Sequence, residues 1–567
     1  MALLISSNPP GEDLAAFNHS LGGRLQHGIP FSRPCFASAA EVLGSQNVDQ
    51  CTDIIRGYLN NTVRLEAFGS YMNTEWETCQ ATGDGCLLDV SDTSVVSLPP
   101  GACHQGSIPS IYLEIETASD VQKAFNFAKS SRVNIVVKNT GHDYIGRSGG
   151  PGTLALWIGF VCDPKANTPQ IEYSENFVPN QCHSIPEAAV TFGAGVTHGA
   201  LYDFANRTNI TLPGGGDLTV GAAGGYLQGG GHSAVSNAYG LAVDRVLEFE
   251  IVTPDGRHLI ANNCQNTDLF FALRGGGGGV FGVVLAVTMK ALPQFSMTTA
   301  FATFTNVKSS QVIAFMVSNA LSYAQQGLLY YWQPGENVIL TSPLQSVKEA
   351  EESLDSLRQF IVSIGGTFEL SSDPSWLSFF NRFLAPTGPN GLQLITSSRL
   401  ISTSLFSTPD GQGKLATGLN EVLEVNGTLP IIFMVAPHFF KDDGGTSITN
   451  AWRTSLWHVR LTLHLLFNFW TKSPPVVATY KKLTQRMDIL RSISPDSGAY
   501  HNEADVYEPN FEESFWGTNY ERLVAIKRKY DPDHLLDCWH CGMVDVHACG
   551  ARVLTSEYIR SGLERAK

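Results

Sequence analysis

The sequence is poor in charge and has no concentrated cation. Charged residues fill 16% of its 567 positions, against roughly 25% in ordinary soluble domains. Lys and Arg number 37 against 52 Asp and Glu, for a net charge of −15, and they gather into no block. A nucleic-acid partner is disfavoured on that ground, because phosphate neutralisation needs a positive face. No apolar run reaches the roughly 18 residues of a membrane span; LHLLFNFW (463–470) is short and broken by His464 and Asn468. There is no internal repeat, no low-complexity tract and no acidic tail. The opening MALLISSNPP lacks a basic start and a long apolar stretch, so it does not read as a signal peptide. The chain is then either cytosolic or lacks its leader in this sequence.

What the chain does have is glycine, 54 residues of it, and a hydrophobic content of 43%. Its length gives a prior of about two to four domains. Eleven cysteines lean towards an oxidising compartment. Plausible pairs are Cys35 with Cys51, Cys79 with Cys86, and Cys162 with Cys182, with one thiol left over. A secretory-pathway location is therefore expected, the cytosol remaining open. Sequons at Asn18, Asn60, Asn206, Asn209 and Asn426 are about as many as chance supplies and decide little.

Residues 1–104 form an irregular, Cys-rich extension. From Ser107 the character changes: 111–142 alternates strand, helix, strand, with Ser119-Asp120 as the expected cap and Val121, Ala124, Phe125 and Ala128 on one helical face. Residues 105–294 behave as one α/β unit carrying three glycine loops. From 295 to 497, strand-like runs interleave with helices, which fits an antiparallel sheet with helices on one side. Residues 498–567 carry an amphipathic helix from about Asn519 to Tyr530.

The glycine loops hold the chemistry. RGGGGGVFGVV (274–284) invites a dinucleotide-fold reading, but that site needs strand, glycines, then helix. Here the order is helix, glycines, strand. Backbone N–H groups in such a loop can still form a nest for a pyrophosphate. With VVKNTGHDYIGRSGG (136–150) and PGGGDLTVGAAGGYLQGGGHS (213–233), the chain has three such loops within about 150 residues. They argue for one extended, nucleotide-like ligand, because so much glycine is costly without a close backbone approach. Cys538, Cys541, His547 and Cys549 are ligand types that suit zinc, but the spacing is unfamiliar, and disulfides or buried thiols are the better reading. No metal is expected.

Taken together and in order, these three loops, YGLAVDRVLEFEIVTPDG and DLFFALRGGGGGVFGVV resemble the FAD-binding domain of the vanillyl-alcohol-oxidase superfamily. PNFEESFWGTNYERLVAIKRKYDPDHL resembles the closing segment of its berberine-bridge-enzyme-like branch. The resemblance implies an α+β fold: a two-part PCMH-type FAD-binding domain, with the antiparallel-sheet substrate domain inserted before a C-terminal flavin-contacting segment. It implies FAD bonded through His142 to the flavin 8α-methyl, flanked by Asn139, Thr140, Gly141, Asp143 and Tyr144. Gly214, Gly215, Gly216, Asp217, Thr219, Val220, Gly221, Gly224 and Gly225 would wrap the cofactor. Gly230, Gly231, His232, Asn519 and Tyr520 would contact it, and Tyr226 would lie near the flavin edge. Many relatives carry a second, cysteinyl link in G-G-x-C-x-T-V-G. Here Asp217 stands in the cysteine's place, which leaves a single covalent bond.

The implied activity is that of an oxidase, moving a hydride from an alcohol, sugar or secondary-metabolite C–H to flavin and then to O2. The family's tyrosine base comes from a Y-x-N-Y-like stretch; this chain has Tyr500-His501-Asn502-Glu503. Glu503 is therefore the first acid/base candidate and Tyr500 the second, beside Tyr226. His458 is read as a satisfied core histidine. A redox-neutral isomerase, lyase or cyclase using FAD as scaffold and Glu503 as acid/base is the alternative. The expected partners are a small-molecule substrate and O2, with the chain a monomer.

Overall fold

The computed structural model describes residues 11–40, 42–79, 82–89, 98–99, 101–158, 171–304, 309–333, 336–385, 390–423, 428–437, 440–464 and 476–538. Strand Ile111–Glu114 feeds helix Ala118–Ser131, which buries Val121, Ala124, Phe125 and Ala128 and returns to strand Ile135–Lys138. Leu154–Trp157 lies between those two strands, parallel to both. The helix is capped two residues before Ser119. Thr117 caps it, accepting from the Asp120 N–H while the Asp120 carboxylate accepts from the Thr117 N–H, a reciprocal box that satisfies two orphan donors.

A second sheet is wholly antiparallel, in the order His258–Asn262, Val246–Val252, Val283–Lys290, Glu187–Gly193, Ile171–Phe177. Its inward residues share one core with the helix just described. Leu523, Ile526 and Tyr530 of helix Tyr520–Tyr530 join that core, so the end of the chain returns to its first half. Trp516 Nε1 donates to Gly275 O at 3.1 Å and fixes the return.

The third sheet has seven antiparallel strands in the order Thr367–Asp373, Met297–Thr303, Asn337–Ser342, Leu329–Gln333, Thr428–Met434, Ser455–His464, Leu394–Ser402. Its side chains alternate as the pleat requires. Ala300, Ala302, Val338, Leu340, Ile432, Met434, Val459 and Leu461 pack under helices Ser309–Gln325, Pro409–Leu423 and Val476–Ile493. The opposite face therefore turns away from the helices. Two consecutive helices, Val347–Ser353 and Asp355–Ser363, are separated by a break at Leu354.

Three disulfides are described: Cys35–Cys51, Cys86–Cys103 and Cys182–Cys264. The first matches expectation; the pairings Cys79–Cys86 and Cys162–Cys182 are corrected. His104 N bonds Gly85 O, which lays strand Ala102–His104 against Gly85-Cys86 and sets the two Cα atoms 4.6 Å apart. Likewise Asn262 Nδ2 donates to Asn180 O and draws the 262–265 turn onto Cys182. Cys538 is also disulfide-bonded, which removes it as a zinc thiolate. Cys162, Asn426, Cys541, His547 and Cys549 lie outside the described residues.

Candidate flavin and substrate site

All three glycine loops and the free face of the seven-stranded sheet border one cavity of about 930 Å³, within the range of cofactor and substrate sites. Strand Ile135–Lys138 delivers the first loop, whose turn at Gly141 has a φ of 80° that glycine adopts without strain. The N-terminal region braces this loop. Met72 N–H donates to Gly141 O at 3.0 Å, and Asn73 Nδ2 donates to the carbonyls of His142 and Asp143.

His142 sits on the cavity wall with Nε2 at 2.7 Å from Thr219 Oγ1. Thr219 in turn donates to Asp217 Oδ1 at 2.7 Å, and Asn390 Nδ2 donates to Asp217 Oδ2 at 3.1 Å. Burial lowers the His142 pKa against the opposing pull of Asp217. Asp217 is raised by burial, but His142, Thr219 and Asn390 together hold it below its ordinary value. The pair is thus a neutral imidazole and an ionised carboxylate. An ionised carboxylate only accepts, so the Thr219 hydroxyl hydrogen points at Asp217 and its lone pair receives Nε2–H. Nδ1 is left as the nitrogen with a free lone pair.

The glycines divide into two groups. A Cβ on Gly221 would meet Asn139 Oδ1 at 2.3 Å, and one on Gly224 would meet Asn139 Nδ2 at 2.9 Å; these two are small because Asn139 packs there. Thr140 Oγ1 accepts from the Gly221 N–H at 3.0 Å and joins the two loops. Gly216 and Gly225, by contrast, face open space on the cavity wall, with nothing within 4 Å of a built Cβ. Asn139 Oδ1, Gln228 Oε1 and Ser233 Oγ are buried at the same wall without a hydrogen-bond partner among the described residues. Open glycine ledges beside orphaned polar atoms fit a large cofactor rich in donors and acceptors. FAD meets that description.

Gly214, Gly215, Asp143, Tyr144 and Val220 also border the cavity. Gly230, Gly231, Asn519 and Tyr520 do not line it. The Gly231 N–H donates to Tyr500 Oη, Asn519 Nδ2 holds Ile448 O at 2.8 Å, and Tyr520 stacks on Trp516. These four support the wall from behind. Gly278 and Gly279 of the five-glycine run do line it, although the sequence had suggested only a nest there.

At the sheet end, Glu503 Oε2 accepts from His458 Nε2 at 2.9 Å, while its Oε1 lies 3.3 Å from Arg460 Nη1 and 3.4 Å from His232 Nε2. Burial raises the Glu503 pKa, but Arg460, His232 and His458 outweigh it and hold the carboxyl well below its usual range. His458 is fully buried and driven down to about 4 by burial, against the pull of Glu503. His458 is thus buried as expected but only half satisfied: Nε2 meets Glu503, and Nδ1 has no hydrogen-bond partner among the described residues. His232, His458 and Glu503 could geometrically hold a metal ion, but the Arg460 guanidinium already supplies the positive charge. Tyr500 Oη accepts from Asn502 Nδ2 at 2.8 Å, Tyr226 Oη donates to His232 O at 3.0 Å, and burial pushes both phenols up. Arg147 grips Asp143 and donates to Asn502 Oδ1 at 3.1 Å, linking the His142 loop to the Tyr500 segment.

Arg460, Tyr331 and Phe433 on this wall escaped the sequence reading. The alternation of His458, Arg460 and Thr462 with Val459 and Leu461 was the available signal, a strand with one polar face.

The architecture and the cavity define a flavoprotein. The family described as FAD binding domain matches residues 109–262, and that described as Berberine and berberine like matches 499–538. The FAD-linked oxidoreductase ffsJ of Aspergillus flavipes is 35% identical, over 94% of this chain and 92% of the relative. The VAO-type flavoprotein MtVAO615 of Myceliophthora thermophila superposes with a TM-score of 0.81 at 28% identity, over 94% of this chain and 95% of that one. A glucooligosaccharide oxidase from Acremonium strictum, whose FAD is 6-S-cysteinyl and 8α-N1-histidyl, shares the fold with a TM-score of 0.59 at 18% identity, over 76% and 90% of the two chains. The chain belongs to the FAD-linked oxidoreductases of the berberine-bridge-enzyme-like type.

Proposed function

We propose that this protein is an oxidase whose FAD is held by one covalent bond, from His142, and whose substrate is a small molecule with an oxidisable C–H beside a hydroxyl or amine. The observation that carries the reading is a single cavity. It brings a neutral, oriented imidazole, two open glycine ledges and a buried acid/base cluster to one space. Residues 105–294 with 498–567 would form the flavin unit, and 295–497 the substrate unit. Bound FAD supplies hydride acceptance at N5 and electron transfer to O2, giving hydrogen peroxide.

The chain's own residues supply the rest. Thr219 and Asp217 fix the His142 tautomer and leave on Nδ1 the lone pair that a bond to the flavin would use. Asp217, standing where relatives carry a sulfur, limits the attachment to one bond. A carboxyl held as low as Glu503 is a weak base, so Glu503 serves as an orienting acceptor. His232, with Nε2 on Glu503, keeps Nδ1 to take the substrate proton, and Arg460 balances the carboxylate. Held ionised by Arg460, His232 and His458, Glu503 fits this pair better than the proton-donating role on which the redox-neutral alternative rests. Purified protein, acid-precipitated, should give a pellet that stays yellow, and substrate turnover should release one peroxide per product. A colourless pellet overturns the covalent bond; turnover without peroxide overturns the oxidase.

A further inference from the structure

The free face of the seven-stranded sheet carries one register row across six strands: Glu369, Phe301, Ile339, Tyr331, Phe433 and His458 are successive cross-strand partners. Five interstrand steps of about 4.8 Å make this row about 24 Å long. One end lies at the Glu503 cluster, through His458. Its middle is aromatic and aliphatic, with the Phe383 ring tilted against Phe301 at 5.9 Å and Phe379 bordering the same cavity. The band is continuous with the flavin cradle, since both border the same space.

The charged side chains around it are paired with one another. Arg460 lies on Glu503 at 3.3 Å, Arg382 on Glu369, and Arg147 on Asp143. Along this row, then, no unpaired charge calls for an opposite charge on the ligand; the ionised Asp217 lies elsewhere on the wall, beside His142, where Thr219 and Asn390 hold it. Buried against Phe301, Ile339 and Phe433, the hydroxyls of a sugar chain would find no partner on those side chains; the polar groups within reach on the same wall are the Tyr331 phenol, Asn337, Thr341 and Thr462.

Resting on the oxidase reading above, we propose that the substrate is a neutral, predominantly apolar, elongated molecule, its reacting hydroxyl or amine at the Glu503 end and its apolar body along the row, and that it is not an oligosaccharide. The test uses holoenzyme and reads perturbation of flavin absorbance during titration with straight-chain primary alcohols of increasing length, and separately with maltotetraose. Affinity should rise about two- to fourfold per methylene, and maltotetraose should produce no saturable change. Phe301→Ser, far from the acid/base cluster, should cut the gain for the longest alcohols and leave the shortest unchanged.

A flat alcohol series, saturable binding of maltotetraose, or equal weakening of all alcohols by Phe301→Ser overturns the proposal. The unmodified enzyme carries the test if the variant does not fold. Binding is read without turnover, so the two readings fail separately. A chain-length dependence with no peroxide from any substrate overturns the oxidase and leaves the apolar site standing. Peroxide from maltotetraose does the reverse.

Discussion

Thr219→Val removes one hydroxyl at nearly constant shape and breaks the line from Asp217 to His142. In the native protein the hydroxyl receives Nε2–H at 2.7 Å and passes its own hydrogen to Asp217 at 2.7 Å. Without it, Nε2–H loses its acceptor, since Asp217 Oδ1 stands 3.8 Å from that nitrogen. A buried donor left unpaired costs about 1–3 kcal/mol. The imidazole can regain that amount by changing tautomer or turning, and either change removes the Nδ1 lone pair from its line of attack. At about 1.4 kcal/mol per decade, covalent incorporation should slow by roughly 5- to 150-fold, with water entering the cavity favouring the lower end. The assay starts from apoprotein made under riboflavin starvation, adds FAD, and follows flavin retained in acid-precipitated pellets over time. Thr219→Ser should restore most of the rate, and His142→Ala should retain no flavin in the pellet while still binding it loosely. Incorporation by Thr219→Val within twofold of the native rate would refute the role assigned to Thr219.

Gly216→Val should fold normally, because its Cβ meets nothing within 4 Å, yet lose bound flavin; an unchanged flavin content would show that the ledge is not part of the cradle. Gly221→Ala should keep its affinity for flavin when folded but melt earlier, at a cost of about 1–3 kcal/mol from overpacking against Asn139, measured by thermal unfolding. Glu503→Gln and His232→Asn should each lower kcat by about 10²–10⁴-fold with the flavin spectrum intact, and a loss confined to KM would sink the proton-transfer role. The His458 pKa falls from 6.5 to about 4 on folding, so the stability contributed by its neutral form is full above pH 6.5 and lost as pH drops towards 4. His458→Asn should flatten the stability profile across that window, and an unchanged slope would assign the acid sensitivity elsewhere.

Local chemistry was legible in the sequence wherever the evidence lay within one loop or one element. The order helix, glycines, strand around 274–284 spoke against a dinucleotide fold, and the glycines around His142 singled that imidazole out as a candidate for contact with a bound group. Aspartate at 217 was visible in the same way. What could not be read was set by distances between elements. Cys86 meets Cys103 rather than Cys79 because a short strand pairs beside Gly85. From the sequence, Glu503 was the first acid/base candidate, its partners unknown. Strand Ser455–His464 brings Arg460 and His458 against it, and with His232 they hold its carboxyl well below the usual range. The glycines illustrate the same divide. All those of the second loop seemed to make room for a ligand, but only the space around each one separates Gly216, which is open, from Gly221, which is filled by Asn139. Composition therefore pointed to a cofactor, while the register of seven strands decides which side chains border the cavity. A register shift of one residue in Thr428–Met434 would turn Phe433 under the helices and Ile432 into the cavity. For that reason the substrate wall, unlike the His142 loop, has no signature that a linear motif can carry.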